Sequence, residues 1–500
     1  MRHIIILLYA RLVEICRKPL MLSNFTIRLI YVPGINKIRH FNSKARAYSE
    51  FINAKRRVPA YKKFLNAHHF SKPSFSGLVP NLHEIPETDK ENYIKKFSID
   101  ERCLGGEIPT TNIIIDESSG SSGTATNWVR GIKERKRNAK MIEFGMRTLI
   151  GKEPLFVINA FAMGPWATGV NITMSCVFFS KLKSLGPEKE KIENTLKQFG
   201  KKHKYVIMGY PPFLKHLVDS SEIEWKKFNV SFIFGGESMS EGMRDYLIDK
   251  GIRKVYSSLG ASDLELNISA ENDFTISLRK LLHKNQSLKS KLLKHTGAVP
   301  MIFQYNPTDF LIESSKNGEL IITICRPDYI SPKIRYNIHD IGHTMPLKSL
   351  YSALKSLDID PEKLVEPKTD LPLLFLYGRG DMSVSFFGAN LSPTDINEVI
   401  YSMPELSEIT NSYNISVNED SQGNKKLIIS LELQKGKTVN SIDIEKTQRA
   451  FFDHLSKINQ DFREARKMIP SNNLTEIYFE DFGHGAFKEN DIRIKAKYII

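Results

Sequence analysis

Thr111-Asn112-Ile113-Ile114-Ile115-Asp116-Glu117-Ser118-Ser119-Gly120-Ser121-Ser122-Gly123-Thr124-Ala125-Thr126 is the stretch on which the reading of this chain turns. Its first half, Thr111 to Asp116, is β-branched and reads as a buried strand. Its second half places six hydroxyl side chains and two glycines in nine residues. Such a run offers many donors on a backbone free to curl, which suits phosphate oxygens. A flexible linker has the same composition. The placement between a strand and an expected helix favours the phosphate reading, although no Gly-Lys-[Ser/Thr] ends the run and it is therefore not a Walker A loop.

Working outward, strand and helix alternate from Ile108 to Asp263. Strands are expected at Leu155 to Phe161, Tyr205 to Tyr210, Val230 to Phe234 and Lys254 to Ser258. Helices are expected at Glu188 to Lys202, Pro212 to Val218 and Glu241 to Asp249. This order predicts right-handed βαβ units and a mainly parallel sheet. Gly209, Gly235, Gly236 and Gly260 fall at or just past strand ends, where an open α/β sheet gathers its ligands. From Glu319 the texture becomes β-rich, with strands at Leu320 to Cys325, Lys333 to Ile338 and Leu373 to Tyr377. After Gly378 a smaller α+β pattern follows. It has a strand at Ser383 to Phe387, a helix at Pro393 to Met403, a hairpin from Ile409 to Gln434 turning at Gly423-Asn424, a helix from Ile442 to Met468 and a strand at Thr475 to Phe479. The fold class is α/β, with parallel and mixed sheets in a large domain and a small mobile α+β domain at the C-terminus. The expected division is a basic N-terminal extension at 1–57, a large domain at 58–377 and a small domain at 378–500.

The chain has 500 residues, 41% of them hydrophobic and 25% charged, enough apolar mass for more than one core. Its formal charge of +15 is uneven. Residues 1–63 hold fourteen lysines and arginines against Glu14 and Glu50. A nucleic-acid groove would spread its charge through the fold, so no nucleic-acid partner is expected. The run Ile4 to Ala10 is too short to span a bilayer, which needs about 20 apolar residues. Read as an amphipathic helix from Ile4 to Ile15, it has two readings: a helix docked over the core, or an arm for a membrane surface or an acidic partner. Cys16, Cys103, Cys176 and Cys325 form no C-x-x-C and no dense framework, which fits a cytoplasmic protein, either free or peripheral at the inner membrane face.

With these motifs in place, the sequence resembles an adenylate-forming ligase of the phenylacetate-CoA ligase kind, a branch that includes capsule-biosynthesis and coenzyme F390 synthetase-like proteins. Members carry a Ser-Ser-Gly-Thr-Thr-Gly-Lys-Pro-Thr loop. Here Ser118, Ser119, Gly120, Ser121, Ser122 and Gly123 keep its frame, while Thr124 replaces the lysine and Ala125 the proline. Further marks follow in the family's order. Val58-Pro59-Ala60-Tyr61 and Ile85-Pro86-Glu87-Thr88-Asp89-Lys90 resemble its early "vPxY" and "lPxTxK" segments. Gly164-Pro165-Trp166-Ala167-Thr168-Gly169 resembles a segment beside the acyl pocket, implying Phe161, Trp166 and Thr168 there; a turn with a core tryptophan is the other reading. Gly235-Gly236-Glu237 resembles the turn whose backbone lies against adenine.

Leu259-Gly260-Ala261-Ser262-Asp263 stands in place of Tyr-Gly-x-[Ser/Thr]-Glu, implying ATP contacts at Gly260 and Ser262 and Mg²⁺ at Asp263. Glu265 is a rival ligand. Arg335 to Gly342 resembles R-Y-x-T-G-D-I-G, with His339 for the glycine, and implies that Asp340, past a buried strand, binds the ribose. Gly378-Arg379-Gly380-Asp381, with Gly388, Asn390, Pro393 and Glu398, resembles G-R-x-D-D…G-x-N-x-x-P…E. That match implies ribose or phosphate contact by Arg379 and a hinge at Asp381. The family's C-terminal lysine aligns with Lys495, with Lys488 and Lys497 as the other candidates.

The resemblance implies ATP and Mg²⁺ as cofactors, a small carboxylic acid as substrate and coenzyme A as co-substrate. The implied reaction forms an acyl-adenylate and passes the acyl group to a thiol. Other outcomes of the same resemblance are an amine or carrier-protein acceptor, AMP transfer onto a hydroxyl, and a non-catalytic binding protein left by the changes at Thr124, Leu259, His339 and Met382.

Overall fold

Buried β-branched and aromatic runs between turn residues dictate the central elements, and the computed structural model forms them. Described residues are 1–117, 126–164, 167–294, 299–379, 383–386, 389–419, 425–439, 443–459, 462–463, 466, 475–488 and 498–499. The chain clusters into two units. The first comprises Met1–Gly186, Tyr256–Leu278 and Ile302–Tyr377; the second comprises Pro187–Val255, Arg279–Met301 and Gly378–Ile500.

In the first unit, seven strands lie side by side in the order Phe310–Ser314, Glu319–Ile324, Tyr336–Met345, Leu373–Arg379, Met301–Tyr305, Ser269–Ala270 and Val255–Leu259. The first three pair antiparallel, as do the last three. Leu155–Asn159, buried at all five positions, pairs parallel with Lys181–Ser184. Parallel and mixed pairing thus occur together, as expected for this fold class: the strands between 155 and 184 pair parallel, while from Val255 onward short returns such as Ser269–Ala270 pair antiparallel.

The N-terminal residues are built into this unit. Helix Asn36–Arg57 buries Arg39, Arg46, Tyr48 and Phe51. Arg39 pairs with Asp370 at 2.7 Å, Arg17 with Asp309 at 2.8 Å and Arg46 with Glu14 at 2.8 Å. Part of the basic excess of the N-terminal residues is therefore internal. A buried guanidinium needs fixed acceptors: Arg39 also donates to the Ile30 and Val32 carbonyls, whereas Arg17 and Arg46 each rest on an ion pair with other N–H groups lacking a hydrogen-bond partner among the described residues.

In the second unit, Lys204–Gly209 pairs parallel with Asn229–Phe234. Helix Glu241–Asp249 starts at Ser240, whose side chain accepts the Met243 N–H at 3.1 Å, satisfying one of the first-turn donors. Its C-terminal part is an α+β body. Strand Thr410–Glu419 pairs antiparallel with Lys425–Leu433, which pairs parallel with Thr475–Glu480. Helices Pro393–Ser402 and Ile444–Ile458 cover a core that includes Phe386, Ile396, Ile429, Phe451 and Leu455. Ser392 and Asp395 form a capping box at the first of these helices, with Pro393 at its first position.

Candidate active site

The Ser/Gly loop leaves strand Ile113–Glu117 and returns into strand Asn127–Gly131, antiparallel to it, with Glu117 opposite Asn127. The two strands form a hairpin, and the helix Ile132–Leu149 begins only after the second strand. Asn-Trp-Val-Arg-Gly does not read as a buried strand because of its arginine, yet Trp128, Val129 and Arg130 are all buried. The first strand is the more exposed of the two: Asp116 is its only buried residue. Ser118, Ser119, Gly120, Ser121, Ser122, Gly123 and Thr124 lie outside the described residues, as do Trp166, Asp381 and Lys495.

What the hairpin does can be read from Arg130. Its Nε donates to Asp116 Oδ2 at 3.1 Å, Nη1 donates to the Leu264 carbonyl at 2.6 Å, and Nη2 donates to the Ser262 carbonyl. Arg135 also donates to Asp116. One guanidinium thus ties the base of the Ser/Gly loop to the turn that carries Ser262 and Asp263, a fork that lysine could not reproduce. At that turn Gly260 sits against Leu266, whose backbone atoms would lie 2.6 Å from an added Cβ, so only glycine fits.

Asp263 is part-exposed, and its Oδ2 accepts the Tyr336 hydroxyl at 2.8 Å. Burial and the Asp263 carboxylate keep the Tyr336 phenol protonated, so it remains a donor. Glu265 is buried instead, with Arg326 at 2.5 Å and the Tyr329 hydroxyl on the same oxygen. Of the two carboxylates, Asp263 is the one with room for a further ligand. Among the described residues no group of three or more His, Cys, Asp or Glu could hold a metal. A lone part-exposed carboxylate fits Mg²⁺, which takes one or two carboxylates and completes its octahedron with phosphate oxygens and water.

Behind the hairpin lies a feature that the sequence does not announce. Lys333 is buried, and its Nζ has no hydrogen-bond partner among the described residues; it lies 4.4 Å from the Trp128 ring centroid. With Arg102, Cys103 and Arg130 it lines a cavity of about 10 Å³, room for one water. Burial, then Arg102 and Arg130, pushes the Lys333 amine down to about 7. Glu134, buried with neither oxygen hydrogen-bonded, is pushed up to about 8 by burial.

The signs of the resulting pH effects are opposite. Between pH 4.5 and 8 the folded chain holds the Glu134 proton that the unfolded chain releases, so this group's contribution to stability falls as pH rises. Between about 7 and 10.5 the unfolded chain holds the Lys333 proton, so that contribution rises with pH. Replacing Lys333 with methionine is expected to stabilise the protein at pH 6 by about 1–4 kcal/mol. The same change should flatten the rise above pH 7, as read by urea unfolding across pH. A less stable variant at pH 6 would mean that the amine has a partner that neutralises its burial.

Asp340 lies within strand Tyr336–Met345, not past its end as the sequence reading has it. Ile321 faces Asn337 while Glu319 faces Ile341, so residues 338–340 bulge against Leu320 alone. His339 at the bulge has φ +59°, the left-handed conformation for which glycine is preferred. It is held there by Glu319: His339 Nδ1 lies 3.0 Å from Glu319 Oε1, and Asn337 Nδ2 donates to Oε2 at 2.9 Å. The Ile85 to Lys90 and Arg335 to Gly342 segments are joined here. The Thr88 N–H donates to the Arg335 carbonyl at 3.0 Å, the Asn337 N–H donates to the Thr88 carbonyl at 2.8 Å, and Arg335 reaches the carbonyls of His83 and Ile85.

Phe161 is buried, and its N–H donates to Asn159 Oδ1 at 3.1 Å. Asn159 Nδ2 in turn donates to the Gly169 carbonyl at 2.8 Å, tying Phe161 to the start of helix Ala167–Cys176, where Thr168 sits part-exposed.

In the second unit, Gly235 and Gly236 follow strand Asn229–Phe234. Gly236 has φ +82°, and the Tyr210 ring lies 2.5 Å from where its Cβ would be, so the turn packs bare backbone against the aromatic ring. Glu237 Oε2 accepts the Tyr498 hydroxyl at 2.8 Å. Tyr498 stacks on Tyr413 at 4.7 Å, and its carbonyl accepts the Ile415 N–H at 2.7 Å. Glu398 is buried 3.6 Å from both Arg279 and His283, and burial pushes its carboxyl up to about 7. Arg279 and Arg244 share Glu241 at 2.9 and 3.0 Å. Arg379 ends strand Leu373–Arg379 with its side chain exposed.

No protein-family model matches this chain, and no curated protein matches it in sequence. Among solved structures it is similar to 2-hydroxyisobutyryl-CoA ligase in the postadenylation state in complex with 2-HIB-AMP. The identity is 15% and the TM-score 0.68, over 94% of this chain and 90% of that one. It is also similar to an open conformation of that ligase in complex with 2-HIB-AMP and CoA, at 13% identity and TM-score 0.54, over 92% and 90% of the two chains. The fold is therefore that of an adenylate-forming ligase.

Proposed function

We propose that this protein activates a small carboxylic acid with ATP and passes the acyl group to a thiol such as coenzyme A, as a phenylacetate-CoA ligase-like enzyme. The observation that carries the reading is the likeness over more than nine-tenths of the chain to a ligase that binds an acyl-adenylate. The part-exposed Asp263, braced by Tyr336 in the turn past its strand, supports it. In the first step a substrate carboxylate oxygen bonds to the α-phosphorus of ATP and pyrophosphate leaves. In the second, the thiolate sulfur bonds to the acyl carbon and AMP leaves with the electron pair of the broken acyl–oxygen bond.

In this reading the Ser118 to Thr124 loop, held at its base by Arg130, cradles the phosphates. Gly235, Gly236 and Glu237 form the adenine turn, and Gly260 and Ser262 contact the nucleotide. Asp340 and Arg379 bind the ribose. Asp263 would hold Mg²⁺, which when bound offsets charge on the phosphate oxygens. Lys495 offsets charge at the α-phosphate, Asp381 is the hinge, and Phe161, Trp166 and Thr168 border the acyl group. No protein nucleophile is needed.

The test is ATP–pyrophosphate exchange with a panel of carboxylic acids. Exchange that depends on an added acid is expected. AMP transfer onto a hydroxyl without an acyl-adenylate would replace this reading with an adenylyltransferase, and absence of ATP binding would leave a non-catalytic binding protein. Thioester formation with coenzyme A, against amide formation with amines or loading of a carrier protein, then identifies the acceptor.

A further inference from the structure

We propose that the outward face of the N-terminal helix lies flat on an anionic lipid bilayer. Eleven of the twenty-one large apolar side chains exposed among the described residues fall within the first 38 residues. In helix Arg2–Leu20 the inner face is spoken for, since Ile6, Ala10 and Arg17 are buried in the first unit. Ile4, Leu8, Leu12 and Ile15, spaced for one face of a helix, point the other way and are 59, 62, 56 and 55% exposed. Leu22 and Phe25, 79 and 77% exposed, extend the apolar surface past the end of the helix. Scattered exposed apolar residues need no explanation, but a contiguous stripe does.

The surrounding charge selects the occupant. On the helical wheel, exposed Arg11 and Lys18 border one edge of the stripe and exposed Arg2 the other. Exposed Arg28 follows beyond the helix. Glu14 is the only acid between Met1 and Ser49, and it is turned inward onto Arg46 and Arg137. Within residues 1–49, therefore, no carboxylate faces outward to oppose an anionic surface. A second copy of this chain is disfavoured, because a two-fold contact between the stripes would bring one rim of arginine and lysine against another. The helix is about 28 Å long, and no helix among the described residues is long and apolar enough to cross a membrane. An in-plane helix, with its apolar stripe at the acyl boundary and its basic edges at the headgroups, satisfies both surfaces.

The proposal is independent of the ligase reading and is tested on the full chain by co-sedimentation with vesicles. Phosphatidylcholine vesicles containing about 30% phosphatidylserine should bind the protein at low salt at least tenfold more tightly than phosphatidylcholine alone, and added salt should release it. The double substitution Arg11→Gln, Lys18→Gln should weaken binding ~25-fold, about fivefold per charge. Leu8→Asp with Leu12→Asp should abolish binding while leaving thermal unfolding unchanged, since both side chains are exposed. Failure to bind either vesicle overturns the proposal, as does equal binding to both. So does a concentration-dependent dimer in sedimentation velocity that Leu8→Asp with Leu12→Asp dissociates, which would make the face a contact between copies.

Discussion

Lys495→Ala is expected to lower acid-dependent ATP–pyrophosphate exchange by ~10²–10³-fold, the usual cost of removing one preorganised group that stabilises developing charge. Thiol transfer from a supplied acyl-adenylate should survive in the same variant. The asymmetry follows from the chemistry of the two steps. Displacement of pyrophosphate builds negative charge around the α-phosphorus, where a cation is most effective. Attack on an acyl-adenylate already formed requires the acyl carbon to be open to the incoming sulfur. The two half-reactions are measured separately, exchange with labelled pyrophosphate and thioester formation from the synthetic adenylate. Equal loss of both in a folded variant would move the role to Lys488 or Lys497, of which Lys488 is exposed at the end of the turn Gly485–Phe487.

Arg130→Ala should produce the largest loss of stability of any single change near the site, about 3–5 kcal/mol, because it breaks a buried ionic and hydrogen-bonded network from its centre. Asp116 would keep Arg135, but the Ser262 and Leu264 carbonyls would lose the donor they share. The turn carrying Asp263 would loosen, and exchange should fall by about 10²-fold even in protein that remains folded, since small misplacements of a positioning group have costs of that order. Arg130→Lys is the informative companion. Lysine can reach one of the three acceptors but cannot fork to all of them, so it should recover part of the stability and little of the exchange. Urea unfolding and exchange measured on the same preparations separate the two effects. A wild-type urea midpoint for Arg130→Ala would show that the carbonyls have another donor.

The elements that the sequence made legible are those whose pattern is local. Strand Asn229–Phe234 and helix Glu241–Asp249 fall within a residue or so of where their apolar runs place them. What stayed hidden is set by contacts between distant segments. Asn127–Gly131 hides as a strand because its one arginine is a buried strut rather than a surface charge. The bulge at His339 is a matter of register against Glu319, which no run of residues in Tyr336–Met345 declares. Nothing in the local pattern marks Lys333 or Glu134 as buried; tertiary packing strips their water. For the candidate site, the sequence distinguishes Asp263 from Glu265 only by alignment to a motif. The structure distinguishes them by what each carboxylate already holds. The basic N-terminus shows the reverse problem: its composition is plain, but only folding decides which arginines turn inward to Asp309 and Asp370 and which apolar side chains are left facing out.

The ion pair between Arg17 and Asp309 also sets an order of events during synthesis. Arg17 leaves the ribosome with its partner still 292 residues behind, an interval of about 15–60 s at ordinary elongation rates. Through that interval Arg17 cannot be buried without an unmatched charge, and the Arg46 Nε–H, which donates to the Cys325 carbonyl, lacks its acceptor. The first helix must therefore wait in the open, with the face it later turns inward exposed alongside the stripe it never covers. A nascent chain in that condition is a client for whatever surface is nearest. Release assays on ribosome-stalled chains ending before and after residue 330 would show when the first sixty residues become protected from protease.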